Sequence, residues 1–247
     1  MRSFITILKT ELKLSLRGMD MFIFAICMPI VVLVAIGIIY GSKPAFEGAN
    51  YTFLEQSFGA ITSIAICAGG VMGLPLVVSD YRSKHILKRF KVTPVDPIVI
   101  LLVQVAIYAL YSLVSIISLF LVAKLFFKFN MQGSVLNFIL GWLLVMISMF
   151  SIGIMVGGIS KDSKIVGVIA SVLYFPMLIF SGATIPYEIM PNIMKNLVDV
   201  FPLTQGIKIL KSAILGQSVE NIIIPIFTML IIATICSIVA IKCFKWE

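Results

Sequence analysis

The chain has 247 residues, 60% hydrophobic and only 12% charged, with a mean hydropathy of +1.13 and a formal net charge of +8. Water-soluble domains carry about 25% charged residues, and one core could not hide this much apolar surface, so a soluble protein is excluded and lipid is the solvent that fits. The basic excess does not indicate nucleic acid, because Lys and Arg fall between the apolar runs, where they can face anionic lipid head groups or a partner protein.

The chain opens on a basic amphipathic segment, residues 4–17. Ile5, Leu8, Leu12 and Leu16 share one helical stripe, and Lys9, Lys13 and Arg17 form a neighbouring one at a spacing of four. This predicts a helix lying in the interface, its apolar side in the acyl boundary and its charges wet. A signal peptide does not fit, since the basic region is too long and no small-residue cleavage site follows.

Six uncharged stretches then follow in order: Met21–Tyr40, Gln56–Ser79, Ile98–Ala123, Met131–Ser160, Ile165–Tyr187 and Asn221–Ile241. A crossing needs about 20 residues at 1.5 Å each, so each is long enough. The expected spans are about 21–40, 56–79, 98–123, 134–160, 165–182 and 221–241, in one transmembrane domain of residues 1–247. The fold class is all-α and polytopic, and Pro29 should kink the first span. With the N-terminus inside, thirteen of the 19 Lys and Arg residues fall on inner segments, which predicts cytoplasmic termini.

Two connecting segments are informative. Residues 80–97, on the inner side, place Ile86, Leu87 and Phe90 on one helical face, with Arg82, Lys84, Lys88, Arg89 and Lys91 around them. Asp80 can charge-stabilise the N-terminal end, and Thr93 and Pro94 end the helix. The pattern fits either a solvated basic loop or an element that docks a cytoplasmic partner. Residues 182–220, on the outer side, keep an apolar series broken by Pro186, Pro191 and Pro202. Short helices that lie on or dip into the outer leaflet, buried against the spans, are expected there.

Phosphate-binding, zinc and nucleophile-elbow motifs are absent from the sequence, and no charge interrupts the middle of a span, which disfavours an ion-coupled carrier. The polar stripe Gln104, Tyr108, Tyr111 and Ser115 on the third span could line a pathway or bond neighbouring helices. Ser148 and Ser151 raise the same alternatives on the fourth. Gly69 with Gly73, and Gly153 with Gly157, offer close helix approach.

Taken together, these parts resemble the membrane subunit of the ABC-2 class of ATP-binding-cassette transporters. The order is the same: basic interfacial helix, two spans, cytoplasmic helix, four spans. The segment Asp80-Tyr81-Arg82-Ser83-Lys84-His85-Ile86-Leu87-Lys88-Arg89-Phe90-Lys91-Val92-Thr93-Pro94 is similar to the family's coupling helix, which docks on the ATPase. The family commonly has Glu where this chain has Asp80, and often a Gly shortly after; this chain has Ser83 and Lys84 there. Ser181, Gly182, Pro186 and Pro191 match the motif after the fifth span, and Pro202 the motif before the last.

The resemblance implies a permease without catalytic activity, cofactor or metal of its own, ATP and magnesium being held by two copies of a separate ATPase subunit. It further implies a second permease, identical or similar, an exported substrate such as a drug, antibiotic, peptide or lipid, and a prokaryotic cell membrane. A secondary transporter or channel, or a non-transporting anchor or sensor, is the alternative.

Overall fold

The computed structural model describes residues 2–41, 43–46, 48–86, 97–159, 162–181, 190–217 and 222–243. Among these the architecture is all-helical, with one isolated bridge between Pro44 and Thr52. Six helices are long and apolar enough to cross a membrane: Ile23–Tyr40, Phe53–Ser83, Ile98–Phe127, Val135–Ile159, Ser163–Phe180 and Ile223–Lys242. A leading helix, Arg2–Gly18, precedes them, and two short helices, Asn192–Val198 and Pro202–Leu215, separate the fifth and sixth spans.

The second and third spans are longer than the uncharged stretches that announced them. A charge does not end a helix when its head group can leave the apolar zone or find a partner. Glu55 is drawn into the first turn of the second span by a capping box: its backbone N–H donates to Thr52 Oγ1 at 3.2 Å, and its Oε2 accepts from the Thr52 N–H at 2.8 Å. Lys124 lies in the last turn of the third span, its ammonium 5.7 Å from the centre of the Phe120 ring.

Prolines reshape two spans by the same device. Pro29 lacks a donor, and its ring would strike the carbonyl four residues back. The helix widens just before it into a π turn, Ile23–Cys27, closed by Met28 N–H bonding to Ile23 O. In the second span a π turn, Ala68–Gly73, precedes Pro75 by the same offset, and Leu74 N–H bonds to Gly69 O. The expected disturbance at Pro29 is thus a π turn in a helix that continues.

The second span is buried along most of its length, whereas the first, fifth and sixth are largely exposed, as lipid-facing helices are. Phe58, Ile66, Val71 and Leu74 join Val145, Met149 and Val156 of the fourth span in the main core. Glycines set this approach: a Cβ on Gly153 would lie 1.9 Å from Gly70 O, and one on Gly157 would lie 2.9 Å from Val78 Cβ. Ser148 Oγ donates to Met229 O at 2.8 Å, and Ser151 and Ser237 hydroxyls meet at 3.1 Å, so both serines tie the fourth span to the sixth.

Helix Pro202–Leu215 is buried on almost every face, leaving only Pro202, Lys208 and Lys211 half-buried. It runs antiparallel to the fourth span: Gly206 packs on Val145, Gly141 on Ile209, and Gly133 against Ala213. It therefore begins at the depth of Val145 and climbs to the end of the bundle that holds Glu55. Gly216, at φ 66°, closes it in the left-handed conformation. At about 1.5 Å per residue it is too short to cross, and it is a re-entrant helix in the sense that it packs inside the bundle without spanning it.

Candidate functional site

Two regions gather the polar side chains, one at each end of the bundle. The first is where the second span ends at Ser83. Arg82 is only 4% exposed, and its guanidinium donates to Gly158 O at 2.7 Å and Gly157 O at 3.2 Å. These carbonyls belong to the last turn of the fourth span, so Arg82 satisfies acceptors that a helix end leaves without partners. The sequence pattern sets this cation beside the apolar face of a solvated basic loop or a docking element. The structure instead turns it inward, because the helix of the second span runs on to Ser83 and brings Arg82 round to the fourth.

Asp80 lies inside that helix rather than at the start of a new one, and takes the ammonium of Lys84 at 2.7 Å on an exposed face. His85, at φ 54°, ends the helix in the left-handed region, the role a glycine usually fills. Ile86 follows, half-buried. Leu87, Lys88, Arg89, Phe90, Thr93 and Pro94 lie outside the described residues.

Beside this helix end sits a network that the sequence did not announce. The Tyr81 hydroxyl donates to Glu11 Oε2, and Gln104 Nε2 donates to the same oxygen at 3.1 Å and to the Tyr81 hydroxyl at 3.0 Å. One turn further along the leading helix, Ser15 and Tyr111 hydroxyls meet at 2.9 Å. These bonds fasten the leading helix to the second and third spans. The same face carries Phe4, Ile7, Leu8 and Leu12, packed on Ala25, Ile26, Val103 and Ile107. The expected lipid-facing stripe is thus divided: Leu8 and Leu12 turn to protein, while Ile5 and Leu16 are exposed. Glu11 is the only acidic residue in residues 4–17, and that isolation was the available signal.

Of the polar stripe on the third span, Gln104 and Tyr108 line a pocket of about 360 Å³ with Glu11, Asp80 and Tyr81. Tyr108 packs over the second span, where a Cβ on Gly73 would lie 2.7 Å from its ring. Tyr111 bonds the leading helix, and Ser115 is buried away from this pocket.

At the opposite end, buried Glu55 accepts through Oε1 from Asn130 N–H at 3.3 Å. Gln132 Nε2 donates to Asn50 O at 3.0 Å, and Gly133 N–H to Ile214 O at 2.9 Å. A second cavity, about 530 Å³, opens here between the fourth span, the re-entrant helix and the sixth span, lined by Asn137, Leu140, Ser212 and Ile226 among others. Ser181 is buried just past the fifth span, Pro191 caps Asn192–Val198, and Pro202 opens the re-entrant helix. Gly182 and Pro186 lie outside the described residues. Lys208 Nζ on Asp199 Oδ1 at 2.6 Å ties the re-entrant helix to the segment just before it.

Comparison with known proteins matches residues 2–215 to the family described as ABC-2 type transporter. The comparison with curated proteins gave no match.

Proposed function

We propose, on the premise that this chain belongs to the ABC-2 type transporter family, that it is one half of an ATP-driven exporter, paired with a second permease of the same or similar kind. The chain is a multi-pass membrane protein and the permease subunit of an ABC transporter. The observation that carries the proposal is the family match itself, which runs from the leading helix through five spans to the end of the re-entrant helix. In this reading two ATPase subunits dock from the cytoplasm, hold ATP and magnesium, and press on the segment after Ser83. An antibiotic, drug, peptide or lipid is carried outward.

The contacts at that segment give the push a route. Arg82 joins the end of the second span to the last turn of the fourth. Tyr81 and Gln104 join the same end to the leading helix and the third span. A force on residues 84–97 would therefore move these elements together. The apolar side chains Ile86, Leu87 and Phe90 supply the grip, each worth roughly 1.5–3 kcal/mol when buried in a partner cleft. In the sequence Lys84, Lys88 and Arg89 flank these side chains, and charge at the rim of such a contact would steer encounter more than hold it.

Co-purification of the permease with its ATPase at fixed salt tests the docking. Phe90→Ala should weaken recovery of the ATPase more than Lys88→Ala, and equal recovery from Phe90→Ala and the unaltered chain would refute it. In liposomes holding both subunits, solute movement should require ATP hydrolysis. Movement without nucleotide would favour a channel or secondary carrier, and a complex with no movement would favour an anchor.

A further inference from the structure

We propose that the exposed face of the leading helix is a docking surface for anionic phospholipid head groups. Packing divides that helix in two. Phe4, Ile7, Leu8 and Leu12 turn to the protein, and Glu11, the one acid of residues 4–17, turns the same way to Tyr81 and Gln104. The cations Lys9, Lys13 and Arg17 stay outside. Their spacing of four makes one row, about 12 Å long at 1.5 Å per residue. None of the three pairs with an acid among the described residues. Arg82, by contrast, is bonded to two carbonyls, and Lys84 is matched by Asp80. With its acid turned inward, the outer face of the helix carries charge of one sign.

A second observation, independent of the charge, selects the kind of partner. At about 100° per residue, Ile5 and Leu16 lie on one side of the cation row and Thr6 and Thr10 on the other, with Leu14 beyond them, and all five are exposed. Apolar, cationic, hydroxyl-bearing is the order of acyl boundary, head group and water at a membrane surface. The helix also lies at the level where the first span begins. Its protein side packs on Ala25 and Ile26, and the neighbouring Ile23 and Phe24 are exposed, as lipid-facing side chains are. An acidic protein partner would use the cations but not an apolar edge that continues into a span. Glu11 and Ser15 bond the back of the same helix to Tyr81, Gln104 and Tyr111, so lipid held on its front would steady the second and third spans.

The claim holds whether or not the chain carries a solute, so its main test needs no ATPase or nucleotide. The purified full chain in dodecyl maltoside is titrated with dioctanoyl phosphatidylglycerol and with dioctanoyl phosphatidylcholine, bound lipid being counted by native mass spectrometry. Phosphatidylglycerol should bind at least about tenfold more tightly and raise the thermal midpoint, and added salt should erode the preference. Each basic group near an anionic surface is worth roughly fivefold in affinity. Lys9→Gln with Lys13→Gln should therefore remove most of the preference. Lys164→Gln with Lys242→Gln, which delete two exposed cations elsewhere at the same end of the bundle, should keep it. All four side chains are exposed, so neither double variant should lower the midpoint of the lipid-free chain. Equal affinity for the two lipids, or equal loss of preference in the two double variants, would overturn the proposal. So would a Lys9→Gln, Lys13→Gln chain that keeps the lipid preference but loses its ATPase on co-purification, because the row would then belong to the protein partner.

Discussion

Arg82 shows what a single residue's surroundings add to its identity. In sequence it is one of several cations after the second span, and nothing separates it from Lys84. In space it is buried on two backbone carbonyls, whereas Lys84 pairs with Asp80 in the open. Hydrogen bonds from a charged donor contribute about 1.5–3 kcal/mol, and exposed i,i+4 pairs only about 0.3–0.5. Arg82→Ala should therefore lower the thermal midpoint of the purified chain clearly, while Lys84→Ala should leave it nearly unchanged. Equal midpoints would mean that water replaces the guanidinium at Gly157 and Gly158. His85 gives a prediction of opposite sign. It holds φ 54°, a conformation that costs a side chain roughly 1–2 kcal/mol and glycine almost nothing. Part of the gain is lost to the greater freedom of glycine in the unfolded chain, so His85→Gly should raise the midpoint modestly; a lower midpoint would show that the imidazole makes contacts worth more than the strain.

At the scale of helices, the number and order of the spans were legible because lipid demands long uncharged runs, and this sequence supplies six. Their ends were less so. The uncharged run stops at Gln56 and Ala123, but the helices reach Phe53 and Phe127 because Glu55 is captured by Thr52 and Lys124 leans along Phe120. The capping pair Thr52 and Glu55 has the T-x-x-E spacing that marks a helix start, so that boundary was recoverable. The π turns were not, since a proline announces a disturbance but not its form. The glycine pairs were partly legible. Gly153 and Gly157 do admit the second span, but the crowded partner on that span is Gly70, with Gly69 in ordinary contact at 3.5 Å from Tyr108. The register of one helix on another decides this, and a spacing rule does not carry it. Accordingly Gly153→Ala, whose Cβ would meet a backbone oxygen, should destabilise the chain by about 1–3 kcal/mol or more, while Gly69→Ala should be tolerated. Thermal unfolding of the two variants side by side would check this, and equal losses would show that the second and fourth spans can separate without cost.

Across the whole molecule, the two ends of the bundle differ in a way that bears on its orientation. One end gathers Glu55, Asn130, Gln132 and the top of the re-entrant helix; the other gathers the leading helix, the Arg82 anchor and the Ser83–Ser163 contact. Cations in connecting segments decide orientation, and acidic residues matter little. The Ser83 end has Lys9, Lys13 and Arg17 on the exposed side of the leading helix and Lys84 at the end of the second span, with Lys88, Arg89 and Lys91 following in sequence. The opposite end loses much of its apparent charge once the fold is known. Lys208 and Lys211 ride on a helix packed inside the bundle, Lys208 paired with Asp199, and Lys124 belongs to a span. The loop bias is therefore steeper than a count along the chain conveys, and it predicts that the Ser83 end faces the cytoplasm. Single cysteines at Lys43, Ser83 and Gln217, all exposed, can report this in a background freed of Cys27, Cys67, Cys236 and Cys243. An impermeant maleimide added to intact cells should label Lys43→Cys and Gln217→Cys, and reach Ser83→Cys only after permeabilisation. Labelling of Ser83→Cys in intact cells, with Lys43→Cys and Gln217→Cys protected, would invert the molecule and place the proposed docking segment on the wrong side for any ATP-hydrolysing partner.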